Sequence, residues 1–264
     1  MAKPSSPAAP PVRAEAATDT GRVRGHNEDF FLLALEAHLY LLADGMGGHN
    51  AGEVASRLAL EAARDAFQAA SRSAAAPSPD ATPSPLPPAA HHLRTALKAA
   101  NTRVLEESRA ARERQGMGTT VVALCLASGK AAIAHMGDSR VYRLRGGDFE
   151  QLTDDHSLVQ EQVRMGLLSQ AQAQSSPHKN VITRACGIRE GVEPDLRVET
   201  LQAGDIFLLC SDGLSNLVED QEMARILESR RSDLATACSD LIAAANSAGG
   251  DDNITVVAVA VDRL

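Results

Sequence analysis

Apolar runs of five to eight residues follow one another along this chain, several with almost nothing between them. They span Phe30–Leu35, Leu39–Ala43, Thr119–Leu126, Ala131–His135, Arg140–Leu144, Ile206–Cys210 and Ile254–Val261. Each is too short for a buried helix, and their short apolar or alternating patterns read as strands. Ser128-Gly129-Lys130 and Gly137-Asp138-Ser139 form tight turns between neighbouring runs. A parallel crossover needs a dozen or more residues, so strands joined this closely pair antiparallel.

Three stretches carry helical spacing instead. Val54, Leu58 and Ala62 recur every four residues; Leu93, Ala96, Leu97, Ala100, Val104 and Leu105 follow a three-and-four pattern, as do Leu234, Ala237, Cys238, Leu241, Ile242 and Ala245. One apolar stripe per helix must cover a sheet, which predicts a layered α+β architecture. Between Ala69 and Ala90 lie six of the twelve prolines, a density that no regular element survives. With helices on both sides, it reads as a loop insert at about 71–89 within one domain spanning 13–264, after a disordered tail over 1–12. No internal repeat is apparent.

At 264 residues the chain can bury roughly 75% of its extended surface, and 44% hydrophobic with 23% charged residues is ordinary for a globular protein. Tryptophan is absent, aromatics are 3% and the net charge is −8, so stacking platforms and basic patches for nucleic acid are lacking. Cys125, Cys186, Cys210 and Cys238 are widely spaced without CxxC pairing, as expected of core thiols in a reducing compartment. The opening MAKPSSPAAPPV has no continuous apolar stretch, and eighteen apolar residues never run together. The expectation is a cytoplasmic protein with neither nucleic-acid nor membrane partner.

Acidic turns recur at the strand ends: Asn27-Glu28-Asp29, Asp44-Gly45-Met46-Gly47-Gly48, Gly137-Asp138-Ser139, Ser211-Asp212-Gly213 and Gly250-Asp251-Asp252-Asn253. Any one of them is an ordinary Asp-Gly turn. Five of them place carboxylates where strands stop, with glycines that let the backbone approach a ligand. Converging carboxylates repel and call for a cation, and oxygen ligands without His or Cys suit Mg²⁺ or Mn²⁺ rather than zinc.

In these motifs the chain resembles the bacterial PP2C-type metal-dependent serine/threonine protein phosphatases, from about Ala14 to Val261. The blocks, in family order, are TDTGRVRGHNED (Thr18 to Asp29), LADGMGGHNAGEVAS (Leu42 to Ser56), GMGTT (Gly116 to Thr120), HMGDSRVYRLR (His135 to Arg145), TDDHS (Thr153 to Ser157), NVITRACG (Asn180 to Gly187), LLCSDGL (Leu208 to Leu214) and GGDDNIT (Gly249 to Thr255). The resemblance implies a four-layer α/β/β/α sandwich, two antiparallel sheets flanked by helix pairs, with metals in a cleft at one edge. It implies that Asp44 bridges two Mn²⁺ or Mg²⁺ ions and that the Gly45 carbonyl is a further ligand. Asp212 and Asp252 complete the first ion, Glu28 holds the second through water, and Asp29 orients ligand waters. Arg24 corresponds to the arginine that grips the substrate phosphate, which suits a planar guanidinium. Asp138, with Asp212, is either a ligand of a third ion or a turn residue that orders its hairpin.

The mechanism so implied is direct attack by a metal-bridging water on phosphoserine or phosphothreonine, with no side-chain nucleophile. Phosphorylated proteins, with a bacterial Ser/Thr kinase or its targets among them, are the expected partners of a monomer. Residues 156–184 resemble the flap beside the active site. Two departures stand out. Met46 occupies the place of the animal members' proton-donating histidine and cannot donate; His49 is a candidate donor or a surface-loop residue. Ser176-Pro177-His178-Lys179-Asn180 replaces a HPxRN pattern, which bears on selectivity. The alternative readings are a catalytically weak phosphoprotein-binding or regulatory relative, and a two-metal phosphoesterase for small molecules.

Overall fold

The computed structural model describes residues 11–47, 51–73, 86–110 and 112–263. The seven expected strands are β2 (Asp29–Ala34), β3 (Leu39–Met46), β5 (Val121–Ala127), β6 (Lys130–Met136), β7 (Arg140–Arg145), β10 (Ile206–Cys210) and β11 (Ile254–Val261). Four more complete the sheets: β1 (Val12–Asp19), β4 (Gly118–Thr119), β8 (Asp148–Gln151) and β9 (Asp195–Thr200). One sheet has the order β1-β11-β10-β7-β8; the other runs β2-β3-β5-β6-β9, with β4 paired to the end of β3. Every pairing is antiparallel.

Strand periodicity explains why the sheets stack. On β3, Tyr40 and Leu42 face the other sheet, where they meet Phe207 and Leu209 of β10 and Val257, Val259 and Val261 of β11. Their neighbours Leu39, Leu41 and Ala43 face away and are covered by α1 (Ala51–Ser73) and α2 (Pro88–Ala110). Behind the first sheet, Ile206, Leu208, Cys210, Val256 and Ala258 are covered by α6 (Asp220–Ser229) and α7 (Leu234–Ser247). Strands apolar on both faces therefore require four layers, helix pair, sheet, sheet, helix pair. All eight residues of β11 are buried for this reason.

The periodic faces of α2 and α7 are buried as expected. On α1 the buried line is instead Gly52, Ala55, Ser56, Ala59, Leu60, Ala63 and Phe67, with Val54 and Leu58 on its margin. Small side chains let this helix lie close to β3. The region expected to lack regular structure is shorter than read: α1 continues through Ser73 and α2 starts at Pro88, a position where a missing N–H costs nothing. The remainder of that insert, like residues 1–10 of the expected tail, lies outside the described residues; Val12 already belongs to β1. Residues 156–184, expected to form a flap, hold two short helices, α3 (Leu158–Arg164) and α4 (Gln170–Gln174). The remaining helix, α5 (Asp212–Ser215), is a single turn. All four cysteines are buried and free. No helix among the described residues is long and apolar enough to cross a membrane.

Candidate active site

Strand register brings the acidic turns to one edge of the sandwich. Asp29 and Asp44 are cross-strand partners on β2 and β3. Asp212 follows β10, and Asp252 precedes its antiparallel neighbour β11, so these two ends are adjacent. Asp138 sits in the turn from β6 to β7. Hydrogen bonds then tie the sheets together. Ser211 Oγ donates to Asp29 Oδ2 at 2.8 Å and accepts the Thr255 N–H at 3.0 Å. Thr120 Oγ1 accepts the Asp44 N–H at 3.0 Å and shares a 2.7 Å hydrogen bond with Ser139 Oγ. One threonine thus links the Asp44 strand to the Asp138 hairpin.

The start of α1 presses on this edge. A Cβ on Gly45 would lie 2.2 Å from the Gly52 carbonyl oxygen, and one on Gly52 would lie 2.6 Å from the Glu28 carboxyl carbon. Backbone alone fits between Glu28 and Asp44, which explains the glycines there.

The electrostatics are those of a cation site. Asp29 and Asp138 are buried, and Asp44, Asp212 and Asp252 are half-buried. Loss of water, then the charges of Asp212 and Asp252, pushes Asp29 up to about 7 against the help of hydroxyl donors. Desolvation, then Asp212 and Asp155, raises Asp138 to about 7. Asp44 is raised well above the usual carboxylate range by desolvation and by Asp29, Asp212, Asp138 and Asp252 together. Asp212 is raised by desolvation and then by Asp252, and it lies within hydrogen-bonding reach of Asp44. Asp29 Oδ1 is buried with no hydrogen-bond partner among the described residues. The nearby cations are committed elsewhere or peripheral: Arg140 forks onto Asp155 at 2.7–3.2 Å, and the half-exposed Arg24 holds Asp252 at 2.7 Å. Hard oxygen donors, mutual repulsion and an orphaned carboxylate oxygen fit divalent cations.

Glu28 is also at this edge, 3.2 Å from His26 Nε2. Arg24 feels the charges of Asp252, Asp212 and Asp44, though among the described residues its one direct hydrogen-bond acceptor is Asp252. Met46 ends β3 beside these groups, and His49 lies outside the described residues. Alongside the acids runs a cleft of about 620 Å³, lined by Asp138 and Asp212 and by Gln160, Gln170, Lys179 and Asn180 of the segment 156–184.

Several supporting residues went unread although they lie inside the quoted motifs. Asn253 is the clearest. Its Nδ2 donates to the carbonyls of Thr20 (3.0 Å) and His26 (2.9 Å), and its Oδ1 accepts the Glu28 N–H at 2.8 Å. One side chain therefore shapes the loop that carries Arg24 and Glu28. Asn253→Ala leaves a partly buried N–H and two carbonyls without partners and should cost about 1–3 kcal/mol, read from urea unfolding. An unchanged midpoint would mean that the loop keeps its shape without Asn253. Thr120, Ser139 and Ser211 act in the same supporting way; Ser139 and Ser211 adjoin an acidic residue in the sequence, whereas Thr120 had no such signal.

Fold and site together define a metal-dependent phosphatase of the two-sheet sandwich type. The protein phosphatase 2C profile matches residues 22–246. The chain is 40% identical over 251 residues to the serine/threonine phosphatase stp of Listeria welshimeri, covering 94% of this chain and 95% of that one. The crystal structure of the Mycobacterium tuberculosis serine/threonine phosphatase PstP/Ppp superposes with a TM-score of 0.82 at 36% identity, covering 96% and 99% of the two chains. A PstP catalytic domain solved in complex with two manganese ions gives a TM-score of 0.79 at 36% identity, covering 95% and 98%. The chain belongs to the protein phosphatase 2C family. It is a divalent-metal-dependent serine/threonine protein phosphatase, and its substrates are phosphoproteins.

Proposed function

We propose that Asp44 bridges two Mn²⁺ or Mg²⁺ ions, with the Gly45 carbonyl, Asp212 and Asp252 completing one and Glu28 serving the other through water. Asp29 orients ligand waters, and Asp138 joins Asp212 around a third ion. The observation that carries this reading is the convergence of five carboxylates from five separate segments on one edge, where Asp29, Asp44, Asp138 and Asp212 have raised proton affinities and too little positive charge lies around them. Bound divalent ions supply an activated water for direct attack on phosphorus and neutralise charge on the phosphoryl oxygens.

The chain's own residues do the rest. Arg24 stands at the rim, where its guanidinium exchanges the Asp252 carboxylate for two oxygens of the substrate phosphate and stabilises charge that grows in the transition state. Met46 supplies no proton to the leaving serine or threonine oxygen. The flap wall of the cleft meets the polypeptide around the phosphoresidue, so Lys179 and Asn180, within the departure from the usual pattern, bear on selectivity. A monomer in the cytoplasm opposing a Ser/Thr kinase completes the reading; four free buried thiols support the reducing compartment.

Release of inorganic phosphate from a phosphothreonine peptide in Mn²⁺, abolished by EDTA and restored by added Mn²⁺, is the expected result. Metal-independent turnover would remove the ions from the proposed mechanism, and no turnover across several divalent metals would leave a phosphoprotein-binding relative. Anomalous scattering at the manganese edge from Mn²⁺-soaked crystals would count the ions and identify their ligands.

A further inference from the structure

His156 is a buried residue of the TDDHS block, and its hydrogen-bond partners among the described residues lie outside the proposed metal ligands. It holds Gly137 at two points. The His156 N–H donates to the Gly137 carbonyl at 3.0 Å, and the Gly137 N–H donates to His156 Nδ1 at 3.1 Å. Burial pushes the imidazole down to about 4, so at neutral pH Nδ1 is free to accept. The same residue anchors both ends of the flap. Its carbonyl accepts the Thr183 N–H at 2.8 Å, beside the bridge between Ser157 and Ile182. Its Nε2 lies 3.2 Å from Asp195 Oδ2, and Arg184 engages the other oxygen of that carboxylate. His135 backs the ring in a stack with centroids 4.5 Å apart and is itself fixed by donating Nε2–H to the Asp154 carbonyl at 2.8 Å.

A metal site is the obvious competing use, because His135, His156 and Asp195 bring three ligand-type atoms within 4.8 Å of one another. The ring planes are only 15° apart in their stack, so the in-plane lone pairs run side by side and cannot converge on one ion. Two of the four ring nitrogens are already committed to backbone groups.

We propose that His156 is a positioning residue that locks the Gly137-Asp138-Ser139 turn to the root of the flap, so that the flap and Asp138 are held as one unit. Any effect on metal use rests on the role proposed above for Asp138, whereas the lock itself rests on the backbone contacts alone. Movement of the flap by substrate would then be felt at Asp138 through His156, with Gly137 as the shared contact.

The test compares two substitutions that divide the functions of the ring. His156→Phe keeps the stack and much of the volume but has no acceptor; His156→Asn places Oδ1 where Nδ1 stands and loses the stack. Native-state hydrogen exchange should show the Gly137 amide about tenfold faster in the Phe variant and near wild type in the Asn variant, as loss of one hydrogen bond implies. Trypsin cleavage after Arg164 and Lys179 should accelerate in the Phe variant. Its kcat on a phosphothreonine peptide should fall more than its kcat on p-nitrophenyl phosphate, which has no chain to meet the flap. Wild-type protection at Gly137 in the Phe variant, or equal loss in both variants, would overturn the proposal. If the Phe variant does not fold, Asn against Ala carries the same comparison. A Mn²⁺ titration of Asp138→Asn separates the two claims: unchanged Mn²⁺ dependence there removes Asp138 from the metal site and leaves the exchange result standing.

Discussion

Asp44→Asn is expected to lower turnover of a phosphothreonine peptide by at least about 100-fold, the upper end of what losing a mere support of a metal ligand costs. The same substitution should raise the melting temperature of the metal-free protein. Both follow from one arrangement. Asp44 is stripped of water and faces Asp29, Asp212, Asp138 and Asp252, and desolvation together with their charges holds its proton affinity well above the ordinary carboxylate range. Without a cation, an ionised Asp44 is a liability that the isosteric amide removes. With a cation, the charge is what binds. In wild type, Mn²⁺ at 100 times its dissociation constant should add about 2.7 kcal/mol of stability, and in the variant most of this gain should vanish. Calorimetry with and without Mn²⁺ reads both effects. An equal Mn²⁺-induced shift in the two proteins would take Asp44 out of the site.

Acidity should decide how stable the metal-free protein is. Asp29 and Asp138 have proton affinities raised to about 7 in the folded state, against about 4 in an unfolded chain. A carboxyl raised in this way contributes stability that is fully present below about pH 4 and is lost as pH rises through about 7. Three pH units correspond to about 4 kcal/mol for one group, and the pair contributes less than twice that because both answer to Asp212. His156, pushed down to about 4 by burial, works in the opposite direction below about pH 6.5. The diagnostic quantity is therefore the stability gap between Mn²⁺-loaded and EDTA-treated protein, in which the histidine contribution cancels. The gap should widen by several kcal/mol between pH 5 and 8. A gap independent of pH would mean that the carboxyls at this edge are not strained by one another.

Sequence reading recovered the strands that are apolar on both faces, because burial on both sides leaves no ambiguity. It missed β1, whose alternating VRAEAATD carries alanines where a stronger signal would need larger residues, and it missed the short edge strands β8 and β9. On α1 the four-residue spacing of Val54, Leu58 and Ala62 drew attention to the margin of the buried face. The true face is lined by alanines and a glycine, which have little hydrophobic signal yet are what close approach to β3 demands. The acidic residues stood out because they recur beside glycine at strand ends. Asn253, Ser211 and Thr120 did not, since a side chain that hydrogen-bonds backbone more than 40 residues away leaves no local pattern.

From the order of residues alone came antiparallel pairing, the layered class, the family resemblance and the identity of the acids, because each of these follows from local spacing, turn length or motif. Only the folded chain decided which acids share an environment. Asp29 meets Asp44 through strand register, Asp212 meets Asp252 because β10 and β11 are neighbours, and His156 meets Gly137 by closing the flap onto a hairpin. Charge repulsion and desolvation act across space and are indifferent to chain separation, so the proton affinities on which metal binding depends emerge with the tertiary structure.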